Sequence, residues 1–166
     1  MTMSFSPEED RMLLRISTTD ESEYHLWLTR RFIKVLWSAL LKTMERDPQL
    51  QKTLLPGVKD AIMGMRHQEA VAASDFDKPH QDGKRTLTSN TGPLLVTGGT
   101  VTPLKDGTTR LTFNTIDGTG INFSLNEKLL HALCHLIISS SQNASWDLDL
   151  SVGDPNVIAA DKSVVH

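Results

Sequence analysis

Apolar and polar positions follow two different periods in the first part of the chain. Over residues 12–28 apolar side chains alternate with polar ones, and over residues 32–44 they recur every three or four positions. A period of two is typical of a strand with one buried face, whereas a period near 3.6 indicates an amphipathic helix. The pattern therefore predicts a β-hairpin followed by a helix, and then a second helix that begins after Pro56-Gly57 and runs to about Ala73.

The same succession of patterns returns in the second half of the chain. Strand-like alternation fills three runs separated by Asp-Gly turns, at residues 94–104, 109–116 and 121–125. An amphipathic helix is predicted next, over residues 127–141, and a final alternation predicts a strand over residues 146–152.

The two halves also correspond position by position. A shift of 97 residues (111 − 14) pairs Leu14 with Leu111, and it pairs Thr29 with Asn126, both of which are good N-cap residues for the helix that follows. Five of the 23 positions over residues 14–36 are identical in this alignment. Internal duplication explains the match, and so does the chance recurrence of a common supersecondary unit.

We therefore predict a single α+β domain, an antiparallel sheet backed by helices and built from two similar strand–strand–helix units. The domain covers residues 1–166, its halves cover about residues 11–73 and 94–152, a polar connection covers residues 74–93 and a flexible tail covers residues 153–166.

Composition and charge narrow the class of protein. With 39% hydrophobic and 22% charged residues the chain is expected to be globular, and a formal net charge of −3 argues against a grip on nucleic acid by the whole surface. The single cysteine, Cys134, excludes a disulfide within the chain. The first ten residues have no apolar core of a secretory signal, so we expect a soluble, cytoplasmic protein without a membrane partner.

Motifs for catalysis or cofactor binding are absent from the sequence. His131 and His135 are four residues apart on a predicted helix, a spacing at which one metal ion can contact both rings. Both lie opposite the leucine stripe of that helix, which predicts solvated surface histidines. Because phosphate-binding loops, a GxSxG elbow and HExxH are all missing, we expect no cofactor and favour a non-enzymatic protein, with enzymatic activity left open.

One predicted surface stands out by its composition. Strand alternation places Arg15, His25 and Trp27 on the face of the first hairpin that points away from the core, close in sequence to three basic residues, Arg30, Arg31 and Lys34. The corresponding outer positions of the second unit are polar throughout, as a solvated face requires. Three explanations remain for an outward tryptophan: cover by another part of the chain, contact with a protein or a second copy, or stacking with single-stranded nucleic acid.

These observations favour a non-enzymatic cytoplasmic interaction or regulatory protein that forms a homodimer. The first alternative is a single-stranded nucleic-acid-binding protein that uses Trp27 and the nearby basic residues. In layout, tandem strand-hairpin–helix units resemble the Whirly and PUR-type binders of single-stranded nucleic acid. The second alternative is a metal-binding protein or enzyme that acts through His131 and His135.

Overall fold

A computed structural model describes residues 1–19, 21–52, 55–74, 86–87 and 92–154 of the chain. Within these residues it contains seven strands and four helices. The strands are β1 (Thr2–Ser6), β2 (Arg11–Ser17), β3 (Ser22–Thr29), β4 (Thr86–Leu87), β5 (Leu94–Pro103), β6 (Thr109–Thr115) and β7 (Gly120–Leu125). The helices are α1 (Arg30–Glu45), α2 (Pro48–Gln51), α3 (Pro56–Ala72) and α4 (Glu127–Asn143). The predicted α+β class is confirmed.

The sheet runs in the order β1-β2-β3-β5-β6-β7, and the short β4 also pairs with β3. All neighbours along this order are antiparallel except β3 and β5, which pair in parallel at Leu26 with Leu94 and Trp27 with Leu95. The sheet is thus two antiparallel three-stranded meanders joined by a short parallel seam. One inner face of this sheet carries the core, because strand alternation directs every second side chain to it.

The helices cover the inner face of the sheet. Helices α1 and α4 each follow one meander in the chain and pack on the other. Helix α1 follows β3 but packs on β5, and α4 follows β7 but packs on β1. The ring of Phe32 on α1 meets the ring of Phe113 on β6 edge-on, with centroids 5.6 Å apart. Helix α3 packs against α4. The two meanders and their helices therefore share one hydrophobic core.

Side-chain caps begin both meander-following helices at the residues expected from the sequence. The Thr29 hydroxyl accepts a hydrogen bond from the backbone N–H of Phe32 at 3.2 Å, and the Asn126 side chain accepts one from the N–H of Leu129 at 2.9 Å. Each cap satisfies an amide that has no partner within its helix. The strand-to-helix junctions of the two halves are alike in this respect.

The structure departs from the sequence predictions at both ends of the domain. Residues 2–6 form the edge strand β1, which the polar start of the chain did not predict. Residues 146–152 do not form the predicted strand; they form an irregular segment in which Trp146 and Val152 are buried. The Trp146 indole N–H donates to Asp10 at 3.1 Å, and its ring meets Phe5 edge-on. Side-chain contacts of Trp146 with β1 and the β1–β2 turn, rather than a strand ladder, therefore hold the start of this segment.

Parts of the predicted organisation fall outside the described residues. Most of the polar connection at residues 74–93 does, as does the tail beyond residue 154. Among the helices in the described ranges, none has both the length and the apolar character needed to cross a bilayer.

Candidate functional site

The outer face of the sheet holds three of the predicted binding residues. Arg15 on β2 lies directly opposite His25 on β3, and Trp27 follows two positions along the same strand. All three are half-buried, although the core lies on the other face of the sheet. The structure therefore brings Arg15, His25 and Trp27 together on one surface.

Trp27 belongs to a row of three large apolar side chains that crosses the sheet. Leu13 on β2 is its register partner on one side, and Leu95 on β5 is its partner on the other. Each of the three is half-buried, and the core cluster on the inner face contains none of them. We call Leu13, Trp27 and Leu95 the apolar row. Strand alternation in the sequence identified Trp27. Leu95 lies beside it only because β3 and β5 pair in parallel, and no local sequence pattern predicts that pairing.

Polar side chains flank the apolar row. The imidazole of His25 is 2.5 Å from the carboxylate of Glu23, a residue whose side chain is only 7% exposed. The Nε of Arg15 is buried and has no hydrogen-bond partner among the described residues. A buried carboxylate in contact with an imidazole, and a buried guanidinium nitrogen, are features of an interface more than of a freely solvated sheet face when they lie at the edge of an apolar row.

The other three predicted binding residues lie elsewhere. Arg30, Arg31 and Lys34 are exposed in the first two turns of α1, whose buried side faces the core on the inner side of the sheet. The sheet thus separates this helix from the outer face that carries Trp27. Proximity in sequence to Trp27 did not translate into a shared surface, because the chain reverses from strand to helix at Thr29.

The outer face is basic overall in the strands that the structure describes. Register and alternation assign to it the charged residues Arg11, Arg15, Arg110 and Glu23. Glu23 is engaged with His25, and Arg11 pairs with Glu9 across 3.5 Å. A chain with a net charge of −3 therefore presents three arginines and one glutamate on this face. Apart from Leu95, the remaining outer positions of the second meander are Ser, Thr, Asn and Gly.

A second group of functional side chains lies between α3 and α4. His131 is only 5% exposed, so the prediction of a solvated surface histidine is wrong for this residue. His135 is half-buried. Helix α3 covers the side of α4 that faces away from the sheet, and His67 of α3 contacts His131 with 3.2 Å between their Nδ1 atoms. The helical pattern of α4 alone did not reveal this, since α4 is covered on two sides.

Burial and nearby positive charge keep His67 and His131 neutral. Burial, followed by the positive charges that His131 and His135 would carry, lowers the pKa of His67 from 6.5 to about 4. Burial also lowers the pKa of His131, a shift that the Glu127 carboxylate opposes and the Arg66 guanidinium reinforces. At neutral pH the rings therefore face each other as uncharged imidazoles, which can share one N–H···N hydrogen bond.

A cavity of about 170 Å³ opens beside His131. Its walls come from the end of α1, from α2, from the middle of α3, from the start of α4 and from the β5–β6 hairpin. Arg66 is one of its lining residues, and its guanidinium lies 3.1 Å from Asp47 and 3.7 Å from Glu127. The volume suits a few atoms of ligand rather than a metabolite, since pockets for drug-sized molecules measure roughly 300–1,000 Å³.

The cysteine and the possible metal ligands of the described residues were compared with the needs of a reactive site. Cys134 is fully buried, and burial raises the pKa of its thiol far above the ordinary range, which leaves it unreactive. Taking the described part of the chain as it stands, no three His, Cys, Asp or Glu side chains are grouped so as to hold a metal ion.

The lowered pKa of His67 predicts how the free energy of unfolding changes in acid. A histidine whose pKa is lower in the folded state binds fewer protons when folded than when unfolded, between pH 6.5 and about 4. The contribution of His67 to the free energy of unfolding is therefore complete above pH 6.5 and is lost as the pH falls through that window. Between pH 7 and pH 5 the unfolding free energy of the natural protein should fall by about 1 kcal/mol more than that of His67→Gln, after allowance for solvent screening. Urea titrations at the two pH values measure this difference, and equal losses in both proteins would contradict it.

Comparison with known proteins gives no assignment for this architecture. No family model, no curated protein and no solved structure matches the chain.

Proposed function

We propose that this protein is a non-enzymatic interaction or regulatory protein that forms a homodimer through the outer face of its first meander. The observation that carries the proposal is the apolar row of Leu13, Trp27 and Leu95. Large apolar side chains in contiguous positions on the face opposite the core mark a protein contact, because leaving them in water forgoes the free energy of their burial.

The composition of this surface matches the anatomy of protein interfaces. Tryptophan and arginine are enriched among the residues that dominate binding energy, and Trp27 lies next to the row that contains Arg15 and His25. In a homodimer, two such faces pack sheet against sheet, and each Trp27 finds an apolar surface on the other copy.

Two finer features complete the proposal. The protein acts in the cytoplasm, an inference that rests on its lone cysteine, which leaves no disulfide within the chain. The two halves descend from one duplicated unit, an inference supported by the recurrence of a three-stranded meander and a side-chain-capped helix in each.

Replacing Trp27 by alanine tests the homodimer. We expect the natural protein to sediment as a dimer and Trp27→Ala to weaken its association by about 2 kcal/mol or more, roughly 30-fold in the dissociation constant, since truncation of a central aromatic anchor costs this much. Sedimentation equilibrium over a range of concentrations measures both constants.

The matched control is Met65→Ala on α3. Met65 is a large apolar side chain, 52% exposed, on the opposite side of the molecule from the apolar row. Its removal should leave the dissociation constant unchanged. A natural protein that remains monomeric at all concentrations, or a Trp27→Ala variant that dimerises as tightly as the natural protein, would overturn the homodimer.

A second candidate function, binding of single-stranded nucleic acid, is supported by the charge of the outer face. Arg15 and Arg110 lie on that face in the two meanders, and Trp27 offers a ring on which a base can stack. Polar Ser, Thr and Asn side chains fill much of the remaining surface. The acidic balance of the rest of the chain opposes this binding, which makes it the second candidate.

Fluorescence anisotropy with a labelled oligonucleotide tests this candidate. Binding at low salt should weaken as salt is added, and Arg110→Ala should reduce both the affinity and the slope of that dependence, whereas Arg30→Ala on the other side of the sheet should not. Arg30 is exposed on α1 and serves as the matched control. Absence of binding at low salt removes this candidate and leaves the homodimer proposal intact.

A further inference from the structure

We propose that the cavity beside His131 binds a small uncharged molecule that has an apolar body and one hydroxyl group. The cavity measures about 170 Å³ and lies among the helices and the β5–β6 hairpin. The residues of the apolar row do not line it. This binding site therefore does not depend on the function proposed for the outer face of the sheet.

The first argument is the apolar wall of the cavity. Each of the four helices contributes one buried apolar side chain to it, and these are Met44, Leu50, Met63 and Leu130. None of the four is more than 8% exposed. An apolar protein cavity of about 150 Å³ accepts benzene, so this cavity has room for an apolar body of about six carbon atoms.

The second argument is the balance of charge around the cavity. Arg46, Asp47, Arg66 and Glu127 line it, two of each sign. The Arg66 guanidinium already lies 3.1 Å from Asp47 and 3.7 Å from Glu127, and Arg46 is exposed to water. A ligand with a net charge would lose its hydration here without meeting a buried, unpaired group of opposite charge. The lining therefore favours an uncharged ligand.

The third argument is the polar group that the cavity offers to a ligand, the Nε2 atom of His131. The ring lines the cavity and is only 5% exposed. Its Nδ1 atom faces that of His67 at 3.2 Å, whereas its Nε2 atom makes no hydrogen bond to the residues that the structure describes. Two hydroxyls of the lining, those of Thr43 and Thr108, already donate to other groups of the protein. A ligand in the cavity can supply the missing partner of Nε2.

A hydroxyl group suits this nitrogen whichever tautomer His131 adopts. Burial lowers the pKa of the ring, so it is a neutral imidazole with one N–H at neutral pH. If Nδ1 donates to His67, Nε2 accepts a hydrogen bond, and if Nδ1 accepts from His67, Nε2 donates one. A hydroxyl both donates and accepts, whereas a carbonyl oxygen only accepts.

NMR titration of the ¹⁵N-labelled, full-length protein with benzene, phenol and benzoate tests the site. We expect phenol to bind with a dissociation constant of about 1 mM or below, in the range open to seven non-hydrogen atoms. Phenol should bind at least as tightly as benzene, because the hydrogen bond to His131 offsets the removal of its hydroxyl from water. Benzoate, a charged ligand of similar shape, should bind at least about tenfold more weakly than phenol. The amide signals of Thr109 and Leu130, two residues of the lining, should shift on binding.

Replacing His131 by leucine separates the hydrogen bond from the apolar cavity. His131→Leu should weaken the binding of phenol about tenfold and leave the binding of benzene unchanged, since benzene does not use Nε2. A purely structural role of His131 would affect both probes alike. The matched control is His135→Leu, the same exchange one turn later on α4 at a residue that does not line the cavity, and it should change neither affinity. Circular dichroism checks the fold of both variants.

Several outcomes would overturn this site. In the natural protein these are absence of phenol binding, binding of benzene without phenol, benzoate bound as tightly as phenol, and amide shifts confined to the outer sheet face around Trp27. None of these outcomes depends on the folding of a variant. Equal losses of phenol and benzene affinity in His131→Leu also contradict the proposal, as does a loss in His135→Leu equal to that in His131→Leu.

Discussion

Phe113→Ala is expected to lower the free energy of unfolding by about 3–5 kcal/mol, the range for truncating a fully buried phenylalanine. Phe113 is 0% exposed on β6 and meets two rings edge-on, that of Phe32 from α1 and that of Phe123 from β7. Its removal leaves a cavity where the helix of the first meander rests on the second. Since domains are stable by only about 5–15 kcal/mol, this variant should be close to unfolding at 37 °C.

Denaturation by urea at neutral pH, followed by circular dichroism, measures the loss. Ile116→Ala is the matched control, because Ile116 follows the same strand and is 70% exposed. Its stability should change by no more than about 0.5 kcal/mol. A loss below 1 kcal/mol in Phe113→Ala would show that this ring contact does not unite the two halves.

Gly153→Ala is expected to cost about 3 kcal/mol, through two separate effects. Gly153 has φ = +60°, a left-handed conformation that costs an L-residue about 1–2 kcal/mol. A Cβ at this position would also overlap the carbonyl oxygen of Asp60 and the amide nitrogen of Gly64 on α3, and such overpacking costs about 1–3 kcal/mol. The segment that ends at Gly153 should then separate from α3 and expose Val152, which is 4% exposed in the native fold.

Gly118→Ala separates the two effects. Gly118 has φ = +84°, but a Cβ there would meet no atom within 4 Å. Gly118→Ala should therefore lower the free energy of unfolding by the conformational cost alone, about 1 kcal/mol. Urea denaturation of both variants gives the difference, and equal losses would mean that Gly153 does not lie against α3 as described.

Local sequence patterns predicted the elements whose burial is decided within a hairpin or a single helix. The alternation of Met12, Leu14 and Ile16 gave β2 its buried face, and the caps at Thr29 and Asn126 gave the start of two helices. The same reasoning missed β1, because an edge strand with a mostly polar sequence needs only one partner, and it misassigned residues 146–152, whose buried side chains pack without a strand ladder.

The candidate sites were less accessible to sequence reasoning, because both depend on contacts between distant segments. Alternation correctly sent Trp27 to the face opposite the core, but Leu95 reaches it only across the parallel seam with β3. A helical wheel placed His131 opposite the leucine stripe and hence in solvent. The environment of His131 is set by α3, whose His67 is 64 residues away in the sequence. The periodicity of α4 cannot predict which other helix packs against it.

The packing of α4 on β1 has a consequence for the synthesis of this chain. The strand of residues 2–6 packs against a helix that spans residues 127–143 and is far from it in the sequence. Trp146 closes the same end of the molecule by its contact with Phe5 and its hydrogen bond to Asp10. Phe5 and its neighbours therefore stay uncovered during synthesis until residues 127–146 have been made, so the domain becomes stable only when these distant segments meet, and not when the first hairpin folds locally.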